Sequence, residues 1–270
     1  MKIKSICYAA SLVLAATLSF AFFAGKPIGA AAFEVKPLAI EVRSDKKSYV
    51  PGEPVALKFK VINKSNTPIS VEGADVQHGY LKVLIAYQGE DFKEYLGPQW
   101  GLQDDVDGGV MTVEPQGSFE TEATVLYNHR LESCHLSEIY VKQNTSKRVE
   151  TEYALNRPGE YRIKTSLYTA EAEREIESEP ISISVEEPKG DDLEVWNRIK
   201  GDAAYGYFIQ TGDLMAHPNS AKAKRVVGTL EEIVNMYPSS RYAEHIRDSL
   251  ARFKVSMDDL KKKGILKQED

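Results

Sequence analysis

The residue types most capable of chemistry gather in two polar stretches of the chain. Asn128-His129-Arg130-Leu131-Glu132-Ser133-Cys134-His135 brings a thiol and two imidazoles close together. Thiolate and imidazole are the ligands that zinc takes, and a thiol beside an imidazole is the pair a cysteine nucleophile uses. A metal site needs further ligands at fitting geometry, and a nucleophile needs a base oriented by a third group; this stretch supplies neither. Adjacent Cys134 and His135 would also point to opposite faces of a strand. The expectation is therefore an ordinary cysteine beside surface histidines, with no metal and no catalytic residue. Asp104-Asp105-Val106-Asp107-Gly108-Gly109 offers carboxylate oxygens of the kind calcium takes. It lacks the alternating ligands, the central glycine and the closing glutamate of a calcium loop, so it reads as a solvated acidic turn. Neither H-E-x-x-H, nor G-x-S-x-G, nor a P-loop, nor G-x-G-x-x-G occurs. The chain is expected to be no enzyme and to need no cofactor.

Whatever positions these residues is expected to work outside the cytoplasm. Lys2 and Lys4 precede an uncharged run from Ser5 to Gly25, and small residues follow at Gly29-Ala30-Ala31-Ala32. A basic start, an apolar centre and an A-x-A site make residues 1–32 a signal peptide, with cleavage between Ala32 and Phe33 directed by Ala30 and Ala32. Pro27 and Gly29 keep that site out of a helix. The alternative is an uncleaved N-terminal membrane anchor, since the run is long enough to span a hydrocarbon core. Cleavage leads to a periplasmic or secreted protein without a further membrane span. It removes three lysines and no acid, taking the formal net charge from −6 to −9. So acidic a chain makes a poor ligand for phosphate backbones, and no nucleic-acid partner is expected. Of the two cysteines only Cys134 remains, so a hydrophobic core rather than an internal disulfide must hold the fold.

Two kinds of periodicity divide the rest. In Val55-Ala56-Leu57-Lys58-Phe59-Lys60-Val61 the apolar residues face one way and the lysines the other, the pattern of a half-buried strand. Similar runs span 39–43, 80–87, 118–126, 159–168 and 180–185, with Pro-Gly at 51–52 and 158–159 as punctuation and a hairpin connection expected at 63–68. Short strands between turns predict an antiparallel sandwich over 33–187. The segments Ser48-Tyr49-Val50-Pro51-Gly52-Glu53-Pro54-Val55, Arg157-Pro158-Gly159-Glu160-Tyr161-Arg162-Ile163 and Glu179-Pro180-Ile181-Ser182-Ile183-Ser184-Val185 resemble strands of bacterial immunoglobulin-like and fibronectin-type-III-like modules. Tyr161 would stand at the corner before its strand, its hydroxyl turned to backbone. The excess length falls in two polar connections, 88–113 and 127–152, where a sandwich commonly carries binding residues. Trp100, in the first of these, is expected to plug the core. Asn63-Lys64-Ser65 and Asn144-Thr145-Ser146 match the glycosylation triplet by chance.

After a charged linker at 188–192 the periodicity becomes helical over 193–264, with a disordered tail at 265–270. Asp191 or Asp192 is placed to cap a first helix bearing Leu193, Trp196 and Ile199, which Gly201, Gly206 and Gly212 divide. A second helix, 220–236, aligns Ala223, Val226, Val227, Leu230, Ile233 and Val234; a third aligns Tyr242, Ile246, Leu250 and Phe253. Between them lies Met236-Tyr237-Pro238-Ser239-Ser240-Arg241-Tyr242-Ala243. Proline and serine suit a helix start, and Tyr and Ala allow close packing. With Tyr237, Pro238, Ser240, Tyr242 and Ala243, this turn resembles the junction of tetratricopeptide-like repeats in bacterial envelope proteins. Its period is not repeated convincingly, so about two units are expected rather than a solenoid. The predicted fold class is thus an all-β antiparallel immunoglobulin-like sandwich followed by C-terminal all-α, tetratricopeptide-like hairpins. The expected function is a non-enzymatic adaptor whose helical tail binds an envelope protein or peptide; the alternatives are an envelope hydrolase or its accessory domain, or a proteinase inhibitor.

Overall fold

Alternating residues become a strand where one face can be buried, and β3 (Val55–Asn63) shows it most simply. Its Val55, Leu57, Phe59 and Val61 are fully buried, while Lys58 and Lys60 face outward opposite Glu122 and Glu120 on one neighbour and Arg43 and Glu41 on the other. A computed structural model describes residues 37–71, 76, 81–97, 110–128, 153–169, 174–214 and 218–264. Around β3 lie β1 (Leu38–Ser44) and β8 (Ser118–Val125), in the antiparallel order β1-β3-β8. The second sheet runs β2 (Ser48–Tyr49), β11 (Ile181–Val185), β9 (Gly159–Thr169), β5 (Leu81–Tyr87), β6 (Lys93–Glu94), with β10 (Arg174–Glu177) also on β9. Only its β2–β11 pairing, among the described residues, is parallel. Phe59, Leu57 and Val61 of one sheet and Ile163, Leu167 and Ile183 of the other close a single core between the layers. The β part is thus a sandwich of mostly antiparallel sheets.

The expected hairpin at 63–68 takes a different course. Following that turn, β4 (Ile69–Val71) leaves β3 and pairs with β7 (Met111–Val113). Asn63 explains the change of direction. Its buried amide nitrogen donates to Thr67 O (2.7 Å) and across to Val113 O (2.9 Å), and its Oδ1 accepts from Ser65 N and Ser65 Oγ. A side chain so enclosed is a structural pin, unavailable to a glycan. Asn63→Ala leaves two carbonyls without this donor and is expected to cost about 1–3 kcal/mol. Urea denaturation checks this; an unchanged midpoint would show that the pin contributes nothing.

Tyr161 stands at the predicted corner. Its hydroxyl donates to Arg157 O (3.0 Å) and accepts from Arg157 N (3.3 Å).

Four helices follow among the described residues: α1 (Asp191–Ile199), α2 (Ala203–Thr211), α3 (Ala221–Met236) and α4 (Arg241–Lys262). The first expected helix is in fact divided, with Asp202 capping α2 by accepting from Ala204 N at 2.9 Å. The expected cap of α1 is corrected: Gly190 occupies that position without a side-chain bond. Asp192 instead accepts from Ser240 Oγ (2.9 Å) and Arg241 N (2.8 Å), because the starts of α1 and α4 lie side by side and α4 has the amide to satisfy. Ser220 and Ser240 cap α3 and α4. The predicted stripes turn inward: Ala223, Val226, Leu230 and Ile233 of α3 are buried, as are Tyr242 and Ile246 of α4. Sheets and helices belong to one compact unit that starts at Lys36. No helix among the described residues is long and apolar enough to cross a membrane.

Candidate functional site

Where β5 turns into β6, against the corner before β9, the surface opens into a cleft of about 380 Å³. The hairpin contributes Ile85, Tyr87, Glu90, Asp91, Lys93, Glu94 and Tyr95; Asn128, Ala154, Asn156, Arg157 and Tyr161 form the facing wall. Tyr87 and Tyr161 pack at 4.9 Å between ring centroids, and the Arg157 guanidinium lies 4.1 Å from the Tyr87 centroid. Tyr87 OH donates to Pro158 O at 2.9 Å. A side chain on Gly159, whose φ is +142°, would run into the Tyr87 ring, so glycine permits this close approach. Glu90 stands 3.7 Å from both Lys93 and Arg157.

The cleft floor reaches the helices. Tyr95 is buried, and its hydroxyl accepts from Leu126 N (3.1 Å) and from Gln210 Nε2 of α2. Burial pushes the Tyr95 phenol up to about 12, so at neutral pH it is a fixed hydroxyl. Gln210 also donates to Thr124 O (3.1 Å) and accepts from Tyr127 N (3.1 Å), bonding both ends of the segment that leads to Asn128. Behind the other wall, Tyr153 meets Tyr127 edge-on at 5.1 Å and Trp196 of α1 at 5.0 Å, and its hydroxyl donates to Ile199 O. Burial raises the Tyr153 phenol far above its ordinary value. Gly206 of α2 lies against the Tyr127 ring, where an added Cβ would clash.

Chemically, the cleft presents carboxylates, amides, a guanidinium and aromatic surface, a set that binds polar groups. Among the described residues that line it there is no Ser, Thr, Cys or His, so these form no hydroxyl or thiol nucleophile paired with an imidazole. Among the described residues no three His, Cys, Asp or Glu side chains converge as a metal site. His129, Cys134, His135, Asp104, Asp105, Asp107 and Trp100 lie outside the described residues, as do Ala30, Ala32 and Phe33.

The helical junction is described, and its groups are engaged within the fold. Tyr237 carries the Arg198 guanidinium 5.4 Å from its ring, and Pro238 O accepts from Arg247. Ser240 caps α4 and reaches Asp192, while Tyr242 and Ala243 are fully buried. Tyr242 OH donates to Pro51 O, fixing α4 to the turn ahead of β3. Burial raises its phenol far above the ordinary range. The same turn holds Gly52, at φ +72°, directly beneath the Trp196 ring, and Glu53, whose side chain is 0% exposed. Pro51-Gly52 is legible in the sequence as a turn, whereas Glu53, Tyr95 and Gln210 gain their roles only from distant segments. One signal was present: Glu53 is an acid set among Val50, Pro51, Pro54 and Val55.

No protein-family profile matches the sequence, and no curated protein matches it either. Solved structures with a similar chain path include Spo0M, a sporulation control protein from Bacillus subtilis, at 12% identity over 61% of this chain and 55% of that one, with a TM-score of 0.31. Another is a beta-glucosidase from Listeria innocua in complex with gluconolactone, at 7% identity over 55% of this chain and 16% of that one, TM-score 0.27. A third is the CARDB domain of a Pyrococcus furiosus protein in complex with di-metal ions, at 12% identity over 55% of this chain and 86% of that one, TM-score 0.25. The chain spans little more than half the length of the first of these and a small part of the second.

Proposed function

We propose that this chain is an exported bacterial envelope protein that binds a protein or peptide without catalysing a reaction. In this reading the cleft at Tyr87, Arg157 and Tyr161 receives the partner. The tetratricopeptide-like hairpins brace the sandwich beneath it and do not themselves take the peptide. The observation that carries the reading is Gln210, which joins α2 to Tyr95 on the cleft floor and to both ends of the Thr124–Tyr127 segment. Walls held from behind are ordered before a ligand arrives, which lowers the entropy cost of binding. A second support is the junction itself: Ser240, Tyr242 and Ala243 are buried and already bonded, which leaves them no surface for a peptide. Export rests on the N-terminal pattern, and mass spectrometry of the mature protein is expected to find Phe33 at its start.

The test is cross-linking in the envelope of the producing cell, comparing the native chain with Asp91→Lys/Arg157→Glu. Both side chains line the cleft, and Arg157 is largely exposed, so the variant is expected to keep its melting temperature. Loss of the partner recovered by the native chain is the expected result. Recovery of the same partner by the variant in undiminished amount would overturn the assignment of the cleft.

A further inference from the structure

The sheet order β1-β3-β8 leaves β8 with a single neighbour among the described residues. In an antiparallel pair, successive residues point their N–H and C=O alternately at the neighbouring strand and away from it. Asn63 N donates to Gly117 O at 3.0 Å, so the odd-numbered residues of β8 are those that bond to β3. Ala56, opposite Thr124, agrees: its carbonyl accepts from Asp45 N (3.1 Å), on the far side of β3. The amides and carbonyls of Ser118, Glu120, Glu122 and Thr124 therefore face the open edge. At the C-terminal end of this row the chain itself takes them up. Thr124 O accepts from Gln210 Nε2 (3.1 Å), and Leu126 O, just past the strand, accepts from Ala154 N (2.8 Å). Those of Ser118, Glu120 and Glu122 have no partner among the described residues.

We propose that this edge receives an extended segment of a partner protein, alternating lysine or arginine with apolar residues, as a further strand on β8. Backbone pairing supplies the bonds that Ser118, Glu120 and Glu122 lack, and the side chains of β8 select the sequence. On the outer face Glu120 lies beside Lys60 (3.9 Å), which stands opposite Glu41; in the next row Glu122 stands opposite Lys58, and Lys58 opposite Arg43. Both rows end on an exposed acid, Glu120 with 67% of its side chain in water, so cations on the next strand extend them favourably. On the inner face Phe119, Thr121 and Ala123 are only partly covered, and apolar side chains of the incoming strand complete that layer. A second copy of this chain is a poorer occupant. Its own β8 laid antiparallel here would set acids against acids, a device by which edge strands avoid self-association. The formal net charge of −6 draws a basic partner as well. This edge is separate from the cleft, and its occupancy does not depend on the cleft's having a partner.

The probe is an end-blocked peptide of alternating lysine and valine, titrated into the full chain and followed by residue-resolved amide hydrogen exchange. In the free chain the amides of Ser118, Glu120 and Glu122 are expected to exchange fast and those of Phe119, Thr121 and Ala123 slowly, since only the latter bond to β3. The peptide is expected to slow the first set. N-methylation separates strand pairing from charge attraction alone. Methylating the alternate set of peptide amides turned to β8 is expected to weaken binding roughly tenfold, while methylating the other set leaves it unchanged. Glu120→Lys/Glu122→Lys is expected to exchange the preference for the lysine peptide for one in which glutamate replaces lysine. Slow exchange at Ser118, Glu120 and Glu122 in the free chain would show the edge already filled and overturn the proposal. So would no slowing by the peptide, an equal response to both methylated sets, or undiminished binding of the lysine peptide by the double variant.

Discussion

Glu53→Ala is expected to destabilise the protein by about 1–3 kcal/mol, the loss that follows when a buried donor, here Val50 N, is left without its acceptor. The side chain is wholly enclosed, and its deletion strips Val50 N of its acceptor and leaves Lys46 and Arg241 facing an empty site. In a unit of this size the loss corresponds to a fall in melting temperature of roughly 5 °C. Two companions define the cause. Glu53→Gln keeps an oxygen for Val50 N and removes only the charge, so its cost is smaller. Lys46→Met is milder still, because the Lys46 side chain is 47% exposed and water replaces part of what it loses. Thermal denaturation of the three variants orders them; a Glu53→Ala protein within about 0.5 kcal/mol of the native one would mean that the carboxylate does not anchor the seam between helices and sandwich.

The second large effect is expected at Trp196. Trp196→Ala removes the ring that fills the space between Gly52, Tyr153 and the helical core, at about 3–5 kcal/mol. Gly52 makes the result separable into parts. An ideal Cβ there would lie 2.3 Å from Trp196 Cζ3, so Gly52→Ala in the native chain forces the ring to move. It also places a side chain at φ +72°, a backbone cost of roughly 1–2 kcal/mol. When the ring is absent, only the backbone cost should remain. The double variant is therefore expected to be more stable than the sum of the single losses predicts, by the energy of the clash. Urea unfolding of the four proteins in this cycle reads it directly. Strict additivity would show that Gly52 and Trp196 do not limit each other.

Both effects come from residues whose importance was only partly legible in the sequence. Alternation in Val55–Val61, the stripe of Ala223, Val226, Leu230 and Ile233, and the serine caps at 220 and 240 are local properties. Each depends on the period of one element and on which of its faces meets solvent. Together they carry the helices and the longer strands β1, β3, β5, β8, β9 and β11, while the short β2, β4, β6, β7 and β10 have too few residues to show a period. The same locality explains the errors. Asn63 reads as part of a hairpin from its neighbours alone, because its bond to Val113 spans 50 residues. Asp192 reads as the cap of its own helix because Arg241, whose amide it serves, lies 49 residues on.

The cleft and the seam belong entirely to this second category. Tyr87 and Arg157 meet only because β5 and β9 pair in a register that sets Tyr87 opposite Tyr161, four residues beyond Arg157. Gln210 finds Tyr95 only because α2 lies against the end of the sandwich, and Glu53 draws its cations from positions 46 and 241. What the amino-acid order determined alone was the helices, the longer strands and their buried faces, since hydrophobic periodicity acts within a few residues. What the tertiary structure decided was which polar groups share a site, because a hydrogen bond or an ion pair depends on ångström-scale distances between segments that the order of residues leaves unrelated.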